Sequence, residues 1–151
     1  MQDRPFSELG DLLTRALIAG DFALYQSILT LPMKFTPRDG KPYVLHDLDA
    51  LREDFELYVS IIRLHGVTDI YREIRDNELT GPREMTVQVM THILVRANRL
   101  VDPFRTSFLL RQDADRWRIA EIESSEGHLN WTLGRAVVSQ SGRFEAGRTE
   151  D

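Results

Sequence analysis

From Val67 to Ser125 the hydrophobic pattern of the chain has a period of two. Apolar and polar residues alternating over runs this long specify strands with one buried face. Four strands follow, at Val67–Asn77, Met85–Ala97, Phe104–Gln112 and Trp117–Ser125, separated by "TGPRE", "NRLVDP" and "DADR". The separating segments hold the Gly, Pro, Asn and Asp that turns need. Strands joined so closely run antiparallel, and strands this long twist and curve. Such a sheet needs a second layer to bury its apolar face.

The first half of the chain supplies helices for that layer. Leu9, Leu12, Leu13, Ala16 and Leu17 recur at helical spacing, with Ser7 as the expected N-cap and Gly20 as the stop. Asp21 then caps a short second helix that turns Phe22, Tyr25 and Leu29 inward. In "LPMKFTPRDGKPYVLHD" three prolines and the Asp39-Gly40 pair predict two short strands in a hairpin. Asp47 caps a longer helix whose Leu48, Leu51, Phe55, Val59 and Ile62 form one stripe, with Tyr58 at its margin. Gly66 ends it. The pattern predicts a single domain over 1–125 and a tail over 126–151 that is partly helical or disordered.

Several function classes drop out on composition. The formal net charge is −5 and no dense basic cluster occurs, which argues against nucleic acid and anionic membranes as partners. The chain has no cysteine, so disulfides and thiolate metal sites are excluded. His46, His65, His92 and His128 show no metal-ligand spacing, and no phosphate-binding or dinucleotide glycine pattern is present. The expectation is therefore no metal and no cofactor. Glu8, Asp11 and Arg15 interrupt the N-terminal apolar stretch, so it does not read as a secretory signal, and a cytoplasmic location is expected.

Turn arithmetic assigns side chains to faces. If Ala114-Asp115 centres the last turn, Leu110 faces Ile119, Phe108 faces Glu121 and Thr106 faces Glu123. If "NRLVDP" closes symmetrically, Val95 faces Thr106, Ile93 faces Phe108 and Thr91 faces Leu110. One face then carries Val87, Val89, Thr91, Ile93, Thr106, Phe108, Leu110, Ile119, Glu121 and Glu123; being the more apolar, it should meet the helices. The other mixes Met90, His92, Leu94, Arg105 and Leu109 with further arginines, which suits a homodimer interface. The face of the first long strand stays undetermined.

The order helix, short helix, hairpin, helix, long antiparallel strands resembles the nuclear transport factor 2-like superfamily, its polyketide-cyclase (SnoaL-like) branch in particular. "RALIAGDFALYQSIL" and "FRTSFLLRQDADRWRIAEI" carry the resemblance, which spans roughly 6–125. It implies an α+β fold in which a curved antiparallel sheet wraps around N-terminal helices as a cone with a pocket at its open end. Members include isomerases, dehydratases and cyclases, and proteins that only bind or dimerise; fold alone does not choose among them. Ketosteroid isomerases of this group use a pocket Asp as base with a Tyr and a protonated acid as oxyanion donors, and dehydratases use a His–Asp pair. Neither set maps onto particular residues of this chain.

Glu121 is the best catalytic candidate, as a carboxylate on the helix-packed face whose pKa desolvation would raise. Tyr58, Thr91, Thr106, Phe108, Glu121 and Glu123 form the expected pocket. Two readings follow: a small-ligand-binding or interaction domain with a cone-shaped pocket for a small apolar ligand, and a cofactor-free isomerase, cyclase or dehydratase working by general acid/base catalysis. The first is preferred because no matched acid–base pair is visible.

Overall fold

The computed structural model of the chain describes residues 4–36 and 42–124, and the backbone of two short segments, 136–138 and 144–146. Helix α1 (Arg4–Ala19) starts earlier than its capping signal suggested. Pro5 sits in its first turn, where a missing N–H costs no hydrogen bond, and Ser7 lies inside the helix rather than capping it. Gly20 follows at φ 70°, the left-handed conformation that closes a helix. Helix α2 (Phe22–Ser27) is capped by Asp21, whose carboxylate accepts from the Leu24 N–H.

Leu29 is buried as expected, but as the first residue of strand β1 (Leu29–Thr36) rather than on a helix. β1 and β2 (Tyr43–Leu45) pair antiparallel, with Met33 opposite Leu45. The Asp39-Gly40 turn expected between them lies outside the described residues. Helix α3 (Leu48–His65) is capped by Asp47, which accepts from the Ala50 N–H at 2.8 Å, and ends at Gly66 with φ 68°.

The long strands are β3 (Asp69–Gly81), β4 (Glu84–Val95), β6 (Phe104–Asp113) and β7 (Arg116–Ser124). A two-residue strand β5 (Asn98–Arg99) folds back on the end of β4. The sheet order is β2-β1-β7-β6-β4-β3, curved and unclosed, with β1 running parallel to β7 and the other neighbours antiparallel. The result is the expected α+β architecture of a sheet wrapped around helices. In the tail, β8 (Ala136–Val138) pairs antiparallel with β9 (Phe144–Ala146), a two-stranded ladder in a stretch without strand periodicity. The rest of the tail lies outside the described residues.

Two registers differ from the turn arithmetic. β4 turns at Arg96 and Ala97, both at positive φ, so Val95 meets Asn98 and the chain reaches β6 by a longer path. Thr106 therefore stands opposite Val89 rather than Val95, and Phe108 opposite Val87 rather than Ile93. Each slip is an even number of residues, so the faces of β4 and β6 are as expected. On β7 the outcome is the reverse. Leu110 pairs with Ile119 as expected, but Leu109 pairs with Glu121, leaving Ala120 as an extra residue. That bulge inverts the alternation beyond it. Ile122 and Ser124 turn inward, opposite Phe108 and Thr106, and Glu121 and Glu123 turn outward.

The core lies between the sheet's concave face and the helices. Phe6 of α1 packs on Phe108 with ring centroids 4.8 Å apart, and Tyr25 of α2 packs on Phe55 of α3 at 4.6 Å. Val87, Leu110 and Ile119 are fully buried beneath them. Burying side chains of this size contributes about 1.5–3 kcal/mol each, which holds the helices on one face of the sheet.

Candidate functional site

The helix stripe of α3 carries one residue that does not belong in a core. Leu51, Phe55, Tyr58 and Ile62 are buried as their spacing requires, and Asp54 is buried with them at 1% exposure. A carboxylate there must be satisfied or neutral. The Tyr43 hydroxyl of β2 donates to Asp54 Oδ1 at 3.3 Å, and Tyr43 is also hydrogen-bonded to Tyr58. Burial pushes the Asp54 carboxyl up from 3.8 to about 8, against the smaller opposing effect of the Tyr43 hydrogen bond. Asp54 is therefore a neutral acid at pH 7. Burial, with Asp54 nearby, also raises the pKa values of Tyr25, Tyr43 and Tyr58 well above 10, so all three stay protonated.

Strand β3 supplies the opposite charge. Arg72 pairs with Thr91 across the ladder, so it faces the helices with Ile70 and Ile74. Its Nη1 donates to the Gly10 carbonyl at 3.1 Å and to Thr14 Oγ1 at 2.6 Å, and Thr14 Oγ1 donates in turn to the Ile70 carbonyl. These bonds tie α1 to β3. Burial lowers the Arg72 pKa to about 10, opposed by the charges of Asp11 and Asp69 and by Tyr25, so the guanidinium is charged at neutral pH.

Between these groups lies a cavity of about 630 Å³, its open mouth included. Its polar atoms come from Tyr25, Tyr58, Arg72, Thr91, Thr106 and Ser124, and the rest of its wall is apolar. Thr91 and Thr106 hydrogen-bond to each other at 2.9 Å on the inner face of the sheet. Tyr25 lies within electrostatic reach of both Asp54 and Arg72. Asp54 is not among the residues that line the cavity; its hydrogen bond is to Tyr43. No carboxylate or imidazole is among the described residues that line it.

Of the pocket residues expected from sequence, Tyr58, Thr91, Thr106 and Phe108 line this cavity together. Glu121 and Glu123 do not. The bulge at Ala120 turns both outward, and Glu121 is part-exposed with an oxygen 3.7 Å from Arg111 Nη2. Its candidacy as a buried acid fails with its face. Sequence reasoning missed Asp54, Arg72, Tyr25 and Tyr43. Asp54 left a signal, since a charged residue at position 54 interrupts an otherwise apolar set with 51, 55, 58 and 62. Arg72 left none, because the face of its strand depends on a register the sequence does not fix.

His92 lies on the outer face, paired through Nε2 with Glu73 Oε1 at 2.7 Å and flanked by the Tyr71 ring at 5.7 Å. Met90, Leu94, Arg105 and Leu109 share that face. No helix among the described residues is long and apolar enough to cross a membrane.

No protein-family model matches the sequence, and no curated protein sequence does. Solved structures match the fold. A protein of unknown function from Mycobacterium tuberculosis superposes with a TM-score of 0.61 at 16% identity, over 80% of this chain and 72% of that one. An NTF2-like protein of unknown function from Shewanella oneidensis MR-1 gives 0.58 at 16% identity, over 82% and 98%. The chain has the nuclear transport factor 2-like fold. A third such structure, an NTF2-like protein of unknown function from Shewanella baltica OS155, gives 0.56 at 11% identity, over 80% and 90%. At these identities the likeness is one of backbone, and the site must be argued from its own side chains.

Proposed function

We propose that this nuclear transport factor 2-like chain is a small-ligand-binding domain that takes a mainly apolar molecule into its cone. One observation carries the choice over catalysis: the described residues of the cavity wall are apolar apart from a few fixed polar points and include neither a carboxylate nor an imidazole. Binding sites have that composition. A general base must stand within hydrogen-bond reach of the proton it removes, and Asp54 is protonated and is not among the residues that line the cavity.

A second reading rests on the same acid. The Asp54 carboxyl acts on Tyr25, which lines the cavity as a protonated phenol and can donate to a bound carbonyl oxygen, as an isomerase, cyclase or dehydratase would need. It would need a base supplied by the ligand or by solvent.

Titration with neutral probes of increasing size (benzamide, indole and 2-naphthamide) tests the binding reading. Saturable binding by at least one is expected, and loss of it in Leu17→Trp, where a half-buried lining residue is enlarged into the cavity. Absence of saturable binding by all three in the wild-type chain overturns it. For the catalytic reading, the measurement is deuterium uptake from solvent at the α-carbons of 2-tetralone. Acceleration by the wild-type chain that Asp54→Asn removes would support it, and no acceleration would end it. The outer face of the sheet, with Met90, His92, Leu94, Arg105 and Leu109, is the proposed homodimer surface.

A further inference from the structure

Among the described residues that line the cavity Arg72 alone is charged, and no other is acidic or basic. A guanidinium in an apolar wall needs compensation. Part of this comes from α1, but the two hydrogen bonds the side chain makes among the described residues both leave from Nη1. Asp11 and Asp69 lie near enough to act through space, yet no carboxylate among the described residues stands within ion-pair distance of it. The Nε–Nη2 edge is the side of the fork that takes a carboxylate with two parallel bonds.

We infer that the ligand of the cone is a small apolar carboxylic acid, its carboxylate held by the Nε–Nη2 edge of Arg72 and its apolar body lying along Phe108, Ile122 and Phe104. This rests on the proposed binding role of the cavity and names the chemical class it selects. The hydroxyls near the cation support the assignment. Tyr25 is protonated and lines the cavity with Arg72, so it donates to an anion rather than competing with one. Asp54, being neutral, does not repel it. The bonds from Nη1 to Gly10 and Thr14 fix the orientation of the guanidinium plane before any ligand arrives, which lowers the ordering cost of recognition.

Arg72 also borders a second groove, of about 680 Å³, between α1 and β3, where Asp11 and Asp69 lie. Those two acids disfavour an anion there, so the cone is the side assigned. The Thr14 methyl reports on the groove, and the Thr91 and Thr106 methyls report on the cone.

The test compares 2-naphthoate with 2-naphthamide, which share a shape and differ in charge, at pH 7 on the full chain. The expected result is naphthoate binding about tenfold or more tighter than naphthamide, equivalent to ~1.4 kcal/mol or above. Shifts are expected at the Thr91 and Thr106 methyl resonances and not at Thr14. Arg72→Met should abolish the preference, bringing the ratio of the two affinities to about one. If Arg72→Met does not fold, Arg72→Lys serves, keeping the charge, losing the fork and retaining only part of the preference. Equal affinity of the two probes in the wild-type chain overturns the carboxylate assignment and leaves the binding reading standing. Shifts confined to Thr14 overturn the placement in the cone. Binding of neither probe overturns the carboxylate assignment, and the binding reading then falls only if benzamide and indole also fail to bind.

Discussion

The Tyr43 hydroxyl lies 3.3 Å from Asp54 Oδ1, and both residues are buried. The bond offsets only part of what burial costs the carboxylate, and the acid stays protonated up to about pH 8. This has a consequence for stability. In the unfolded chain the same carboxyl gives up its proton near 3.8. Between those values the folded form holds a proton that the unfolded form has lost. Stability therefore falls as pH rises from about 4 to about 8, by up to ~5 kcal/mol, and is constant in this respect outside that window. Asp54→Asn keeps the shape and an oxygen for Tyr43 while removing the titration. Urea melts at pH 5 and pH 8 should show the variant close to wild type at pH 5, markedly more stable at pH 8, and much flatter between them. Parallel curves for the two proteins would remove the buried-acid account.

Thr91 and Thr106 share a hydrogen bond of 2.9 Å, with both side chains buried on the inner face of β4 and β6. Valine is nearly isosteric with threonine. Thr91→Val or Thr106→Val alone leaves one hydroxyl without its partner and should cost about 1–3 kcal/mol. The double variant removes both polar groups and should be nearer to wild type than either single one. A double-mutant cycle on unfolding free energies measures this, and additive losses would mean that the hydroxyls satisfy themselves elsewhere.

Three features decided what could be read from the sequence. Helices α2 and α3 were legible because Asp21, Asp47 and Gly66 act through local geometry that needs no tertiary information. The faces of β4 and β6 were legible despite a wrong register. Arg96 and Ala97 form a tight turn at positive φ without the Asn or Gly that usually marks one, but the slip it causes is even. The face of β7 beyond Ala120 was not legible, because one unpaired residue inverts every side chain after it and no local signal announces it. The pairing of β1 with β7 was also out of reach, since it joins strands far apart in sequence. The site was lost on the same points: Glu121 moved out with the bulge, and Arg72 moved in with a register set by the whole β3–β4 ladder.

The bulge makes Glu121 a direct test of that geometry. It is part-exposed, and its contact with Arg111 is 3.7 Å long on a half-exposed guanidinium. Exposed pairs of this kind contribute about 0–1 kcal/mol. Glu121→Gln should change the unfolding free energy by no more than that and leave the affinity for naphthoate unchanged. A large loss of ligand binding in this variant would mean that the carboxylate reaches the cone.

The outer face of the sheet carries the last prediction. Tyr71 is 54% exposed there beside His92, and Met90, Leu94 and Leu109 are half-buried on the same side with no helix of the described residues over them. Arg105, Glu73 and the outward Glu121 and Glu123 surround these apolar groups, which is the pattern of an apolar centre within a polar rim. A two-fold arrangement would bring the same patch of two copies together. Sedimentation at micromolar concentration should give a dimer for the wild-type chain. Leu109→Asp sets a further carboxylate opposite Glu121 and should weaken association about tenfold or more, equivalent to ~1.4 kcal/mol or above. Leu109→Met keeps the apolar contact and should associate like wild type. A monomeric wild-type chain, or a Leu109→Asp variant that sediments with it as an unchanged dimer, would move the interface off this face.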